Sequence, residues 1–68
     1  MKLFDIKIDG KTYEFVNSIN YNGKNYVAYE DAEQTYISEF IINDNNISFQ
    51  PIEDDTVFEE VRKAMALW

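Results

Sequence analysis

Hydrophobic and polar positions alternate through most of the chain, and two Gly-containing dipeptides punctuate the alternation. Asp9-Gly10 separates Leu3–Ile8 from Thr12–Ile19, and Asn22-Gly23 separates that run from Lys24–Glu30. Both dipeptides suit a two-residue type I′ turn, which needs positive φ at both central positions. Such turns fix register. Around Asp9-Gly10, Ile8 faces Lys11, Ile6 faces Tyr13 and Phe4 faces Phe15, while Lys7 faces Thr12, Asp5 faces Glu14 and Leu3 faces Val16. Around Asn22-Gly23, Tyr21 faces Lys24, Ile19 faces Tyr26 and Asn17 faces Ala28. Directly paired residues share a face. Parity therefore collects Phe4, Phe15, Ile19, Tyr26 and Ala28 on one side, with Asn17 as a polar misfit that a bulge or bend near Asn17-Ser18 would relieve.

A third hairpin joins Tyr36–Ile42 to Ile47–Ile52 through Asn43-Asp44-Asn45-Asn46, residues that tolerate left-handed backbone. It sets Ile42 opposite Ile47 and Phe40 opposite Phe49. Pro51 has no N–H for a ladder and suits an edge strand. The periodicity then changes to that of a helix: Val57, Phe58, Val61, Ala64, Met65 and Trp68 form one apolar stripe. Thr56 to Glu59 reads as a capping box, and Glu59 with Lys63 as an i,i+4 ion pair.

The fold class these elements predict is α+β: a five-stranded antiparallel meander with one C-terminal helix packed on one sheet face, as a single domain over residues 1–68. The helix is expected to cover Phe4, Phe15, Tyr26, Phe40 and Phe49. For Tyr26 to share a side with Phe40 rather than Glu39, the connection at Asp31–Gln34 needs an odd length or a bulge. The second sheet face then stays open and carries Leu3, Val16, Val27, Tyr29, Ile37 and Ile41, the candidate protein-interaction face.

Composition narrows the chemistry. The 68 residues include no Cys and no His, which removes disulfides, thiolate chemistry, the usual zinc sites and His-based triads. Thirteen acidic against six basic residues give a net charge of −7. That balance speaks against direct nucleic-acid binding and against an anionic membrane surface. No apolar run approaches the ~20 residues of a membrane span, and the N-terminus becomes polar too early for a signal peptide. The 46% hydrophobic and 16% aromatic content supplies a core for so small a chain.

Candidate sites have structural explanations. Asn43–Asn46 lacks the spaced carboxylates of a calcium loop. Glu53-Asp54-Asp55 is explained by capping and dipole compensation rather than by a magnesium ion. Asp5 opposite Glu14 is a carboxylate pair beside Lys7, and no Ser or Lys has a setting that activates it. The sequon Asn46-Ile47-Ser48 has no secretory route beside it. The tyrosines lack the basic surroundings of a stacking platform. No metal, cofactor or catalytic residue is expected, and the chain reads as a non-enzyme. Two functional classes remain: an interaction module or homodimer using the open sheet face, and an acidic nucleic-acid mimic of the phage anti-restriction or anti-CRISPR type. Scattered carboxylates favour the first, because a mimic needs a phosphate-like stripe.

Three segments resemble the YrzB-like family of small acidic bacterial proteins of unknown function. They are Tyr13-Glu14-Phe15, then Asn22-Gly23-Lys24-Asn25-Tyr26-Val27, then Pro51-Ile52-Glu53-Asp54-Asp55 leading into Phe58-Glu59-Glu60-Val61. The order is kept across nearly the whole chain, although Asp31–Gln34 is shorter than the acidic stretch often found there in the family. The resemblance implies a bacterial, cytoplasmic protein and supplies no catalytic residues to carry over.

Overall fold

The computed structural model describes residues 5–66. Five strands, β1 (Asp5–Ile8), β2 (Lys11–Tyr21), β3 (Lys24–Glu30), β4 (Thr35–Asn43) and β5 (Asn46–Pro51), are followed by helix α1 (Asp55–Ala64). The strands pair antiparallel in the order β1-β2-β3-β4-β5, so the expected α+β meander is the architecture found. Asp9 and Gly10 have φ of 52° and 80°, as do Asn22 and Gly23, the positive values that a type I′ turn demands. The hairpin registers follow from these turns: Asp5 pairs with Glu14, Ile19 with Tyr26, and Phe40 with Phe49.

Two local irregularities decide which residues meet the helix. The register of β2 against β3 shifts between Phe15 and Asn17, so Phe15 pairs with Tyr29 while Asn17 pairs with Ala28. Val16 is the extra residue of this bulge, one position before the expected place. It reverses the parity of β2, sending Phe15 and Ile19 to opposite faces. The second decision lies between β3 and β4. Tyr26 pairs with Glu39, and the ladder runs without a shift to Glu30 opposite Thr35. The connection is therefore an even loop of residues 31–34, and the expected odd loop or bulge is overturned.

Asp31 makes that loop. Its Oδ1 accepts from the backbone N–H of Glu33 (2.8 Å) and of Gln34 (3.0 Å), and its own N–H donates to the Gln34 carbonyl (3.1 Å). A side chain that closes the turn on itself stabilises the even loop. The even loop puts Glu39 on the helix side without burying it fully. Glu39 is only half-buried and borders a shallow depression at the start of the helix, together with Lys24, Gln50 and Val57.

The covered face is thus Tyr26, Ala28 and Ile37, packed under Val61 and Met65 of the helix segment, with Val16, Ile19, Val57 and Phe58 at the margin. Val61 and Ala28 are fully buried. Of the residues expected beneath the helix, Tyr26 is there. Phe15, Phe40 and Phe49 are on the other face, and Phe4 lies outside the described residues. Of the expected helix stripe, Ala64 is exposed and Trp68 lies outside the described residues.

The helix begins two residues earlier than the capping box implied. Asp54 is the N-cap, its carboxylate accepting from the N–H groups of Thr56 (2.8 Å) and Val57 (3.3 Å). Glu59 pairs with Arg62 (2.7 Å) rather than Lys63. Ala66 ends the helix at φ 57°, donating to the Lys63 carbonyl (3.0 Å). Asn17, the polar misfit, faces this end. Its side-chain amide reaches the Met65 carbonyl at 3.5 Å while its Oδ1 accepts from Ser18 N–H at 2.8 Å.

Candidate functional site

The face away from the helix is built from the alternate residues of each strand. Ile6, Val27 and Tyr29 are its buried centre, with Tyr13, Phe15, Tyr36, Phe40 and Phe49 packed around them. Among the described residues no second layer covers it, and the burial of its centre comes from the sheet curling on itself. The two edge strands confirm the curl: Ile6 and Lys7 of β1 and Ile47 and Phe49 of β5 line the same depression of about 450 Å³. Bulges increase local twist and bend, and the one at Val16 lies in the longest strand.

One end of this face is an ordered aromatic and polar cluster. Tyr13, Tyr29 and Tyr36 meet with ring centroids 4.9 to 5.5 Å apart, edge-on or stacked. The Tyr29 hydroxyl and Ser38 Oγ share a buried hydrogen bond of 2.6 Å. Tyr36 donates to Asp31 Oδ2 (2.9 Å), and Lys11 bonds the same oxygen at 3.0 Å while lying 5.2 Å above the Tyr13 ring. Asp31 is held well below the usual carboxylate range, first by the N–H of Gln34, then by that of Glu33, then by Lys11. The same bond to Asp31 pushes Tyr36 and Lys11 upward. Across the molecule, burial pushes the Tyr21 hydroxyl up, and its bond to Glu60 (3.2 Å) adds to that. The contacts of Asp31 with Lys11 and Tyr36 anchor the β1–β2 turn and the 31–34 loop, and the hydroxyls of Tyr21, Tyr29, Tyr36 and Ser38 are each hydrogen-bonded.

The other end is apolar and accessible. Phe15, Val27 and Phe40 floor the depression, and Ile47 and Phe49 form its β5 wall. Ile42 and Ile47, a cross-strand pair beside the β4–β5 turn, are 61% and 59% exposed. Large apolar side chains grouped at that exposure are the usual mark of a contact surface.

The six residues expected to form an open interaction face do not form one. Leu3 lies outside the described residues. Val27 and Tyr29 are on the curled face but buried, at 4% and 7% exposure. Ile37 is buried beneath the helix and Val16 packs beside it. Ile41 is half-buried, and its register places it on the helix side. The parity shift at Val16 and the even 31–34 loop account for this redistribution. The residues that sequence reasoning missed are Phe15, Phe40, Ile47 and Phe49, which it had placed under the helix. The discernible signal was Asp31 itself, an Asx-turn former at the first position of a four-residue gap.

A row of carboxylates borders the site. Asp5 pairs with Glu14, and Glu14 with Glu30, so three acids from β1, β2 and β3 lie side by side on the helix-bearing face. They line a second depression with Asp31. Asp5 borders both depressions, joining the acidic row to the apolar one around the outer edge of β1. Among the described residues, no three acidic side chains are arranged to hold a metal ion, and no helix is long and apolar enough to cross a membrane.

A family described as a protein of unknown function, DUF1292, matches residues 3–68. No curated protein and no solved structure matches the chain.

Proposed function

The chain belongs to the DUF1292 family of proteins of unknown function, and from that premise we propose that it is a non-catalytic protein-interaction module whose contact surface is the apolar depression between β1 and β5. The observation that supports this reading is the exposed Ile42–Ile47 pair on the same face as Phe40 and Phe49. Full burial of one such side chain is worth about 1.5–3 kcal/mol, so a partner that covers the pair gains substantially. A non-catalytic role fits the engagement of Ser38, which is 6% exposed and bonded to Tyr29.

A photo-crosslinking residue at position 47, introduced in the host cell, tests the reading, with position 63 on the exposed helix face as control. We expect one identified protein, or a second copy of the chain, captured from 47 and not from 63, and lost on Phe49→Ser. Equal capture from both positions refutes the reading. A nucleic-acid mimic is the alternative, supported by the net charge of −7 and the Asp5–Glu14–Glu30 row. It requires that the protein displace DNA from a basic DNA-binding protein, and a gel-shift competition without displacement removes it. The segments Asn22–Val27 and Pro51–Asp55 lead us to infer a YrzB-like affiliation, and with it a bacterial, cytoplasmic setting. Recovery in the membrane fraction of a lysate would contradict that setting.

A further inference from the structure

We propose that the partner is a second copy of this chain, docked about a two-fold axis so that the Ile42–Ile47 pair of each copy enters the apolar depression of the other. The proposal rests on the interaction-module reading and specifies its partner. A two-fold contact needs a patch that is its own complement, so that each interaction occurs twice. This face supplies both halves. Ile42 and Ile47 are directly paired and stand exposed beside the β4–β5 turn. Ile47 also lines the depression, whose floor is Phe15, Val27 and Phe40. A projection and a hollow of the same apolar character therefore lie side by side. At about 450 Å³ the hollow is within the ~300–1,000 Å³ of pockets that hold ligands, roomy enough for two branched side chains.

Charge selects a copy over a basic partner. The net charge of −7 makes two copies repel wherever their acidic surfaces face one another. The contact surface avoids this. Of the five strands described, β5 alone holds no charged residue. The cross-strand row Asn20–Asn25–Phe40–Phe49 holds none, nor does the Ile42–Ile47 row beside it. Asn20 and Asn25 bond each other through their side-chain amides at 3.1 Å. A basic partner is recognised through carboxylates, and these rows offer it none. At the rim the charges are complementary between copies. Lys7 borders the depression beside Asp5, and Asp44 lies in the turn next to the projecting pair; Lys7 and Asp44 are both exposed. Docking brings Asp44 of one copy toward Lys7 of the other, twice per dimer, and Lys7 offsets the repulsion that Asp5 alone would exert on it.

Sedimentation equilibrium of the full chain is expected to show a mass that rises with concentration from one chain to two. Ile42→Ser with Ile47→Ser should weaken the dimer by about tenfold or more; tenfold corresponds to about 1.4 kcal/mol. Both sites are exposed, so this variant is expected to fold, and a thermal melt at dilution checks that it does. Lys7→Glu should weaken the parent dimer by about tenfold, since it acts twice per dimer, and far less in an Asp44→Asn background, where the opposing charge is gone. Asn tolerates the left-handed backbone of Asp44, at φ 57°. In a mixture of chains with labelled isoleucine methyls and unlabelled chains, nuclear Overhauser contacts between copies should join Ile42 and Ile47 to the Phe15 and Phe40 rings. Several outcomes overturn the proposal: a single-chain mass at every concentration; a dimer indifferent to the serine pair; an equal effect of Lys7→Glu in both backgrounds; contacts between copies that map to the helix; or contacts between the Phe4 and Phe49 rings of one chain that persist at high concentration, making the chain its own occupant. If the mass stays that of one chain while crosslinking from position 47 captures a different identified protein, the second copy falls as occupant and the interaction-module reading stands.

Discussion

Val61→Ala measures how far the helix holds the sheet. Val61 is fully buried and packs with Tyr26, Ala28 and Ile37. Removing two carbons forfeits about 1.6 kcal/mol of transfer free energy at ~0.8 kcal/mol per methylene. The space left behind adds up to about 1 kcal/mol if the neighbours do not close in. The loss is then about 2–2.5 kcal/mol. At roughly 0.05–0.15 kcal/mol per residue, a chain of 68 residues has about 3–10 kcal/mol of stability in total, so the variant loses a large share of it. Urea denaturation followed by far-ultraviolet circular dichroism reads the change. With a slope near 1 kcal/mol per molar urea, the midpoint should fall by about 2 M. Ile47→Ala, at a site 59% exposed, is the control and should stay within about 0.5 kcal/mol of the parent. If Ile47→Ala costs as much as Val61→Ala, the assignment of faces is wrong.

Four further outcomes are expected. Asp31 is held below its unfolded-state pKa, so its contribution is complete above about pH 4 and is lost as pH falls further; Asp31→Asn should flatten the acid limb of a plot of Tm against pH, and an unchanged limb would refute the anchoring role. Tyr36 and Lys11 are shifted upward, so their contribution is present below about pH 10 and declines above it, a second limb that the same variant should weaken. Asp54→Ala should cost about 1 kcal/mol and Thr56→Ala much less, because Asp54 is the N-cap; thermal melts giving the reverse order would restore the capping box. Ala66→Gly should stabilise by about 1 kcal/mol, since Ala66 has φ 57°, and raise Tm by about 4–8 °C; a lowered Tm would show that the left-handed terminus does not persist in solution.

Much of the candidate site was legible residue by residue but not as an assembly. The β4–β5 hairpin placed Phe40 opposite Phe49 and Ile42 opposite Ile47, and the structure keeps both pairs. What failed was the side on which the pair sits. Parity must be carried through every connection between β1 and β5, and one uncompensated slip inverts everything downstream. The bulge was anticipated from Asn17, a polar residue in an apolar register. It falls at Val16, which moves Phe15 to the curled face and leaves Asn17 at the helix end.

The sequence by itself determined the local grammar: two type I′ turns from Asp9-Gly10 and Asn22-Gly23, three hairpin registers, an α+β meander, and a helix whose Val61–Met65 stripe had to be buried. These follow from interactions between residues close in the chain, where backbone preference and two-fold alternation are decisive. Tertiary structure decided which face that helix covers and that the other face covers itself by curling. Both outcomes depend on free-energy differences of the whole sheet. Asp31 favours an even loop through four hydrogen-bond partners that include Lys11 and Tyr36. Glu39 tolerates its place because it is only half-buried, in a depression at the start of the helix that it shares with Lys24. The depression between β1 and β5 exists only because two strands at opposite ends of the chain order are brought to one side, a relation that no local pattern encodes.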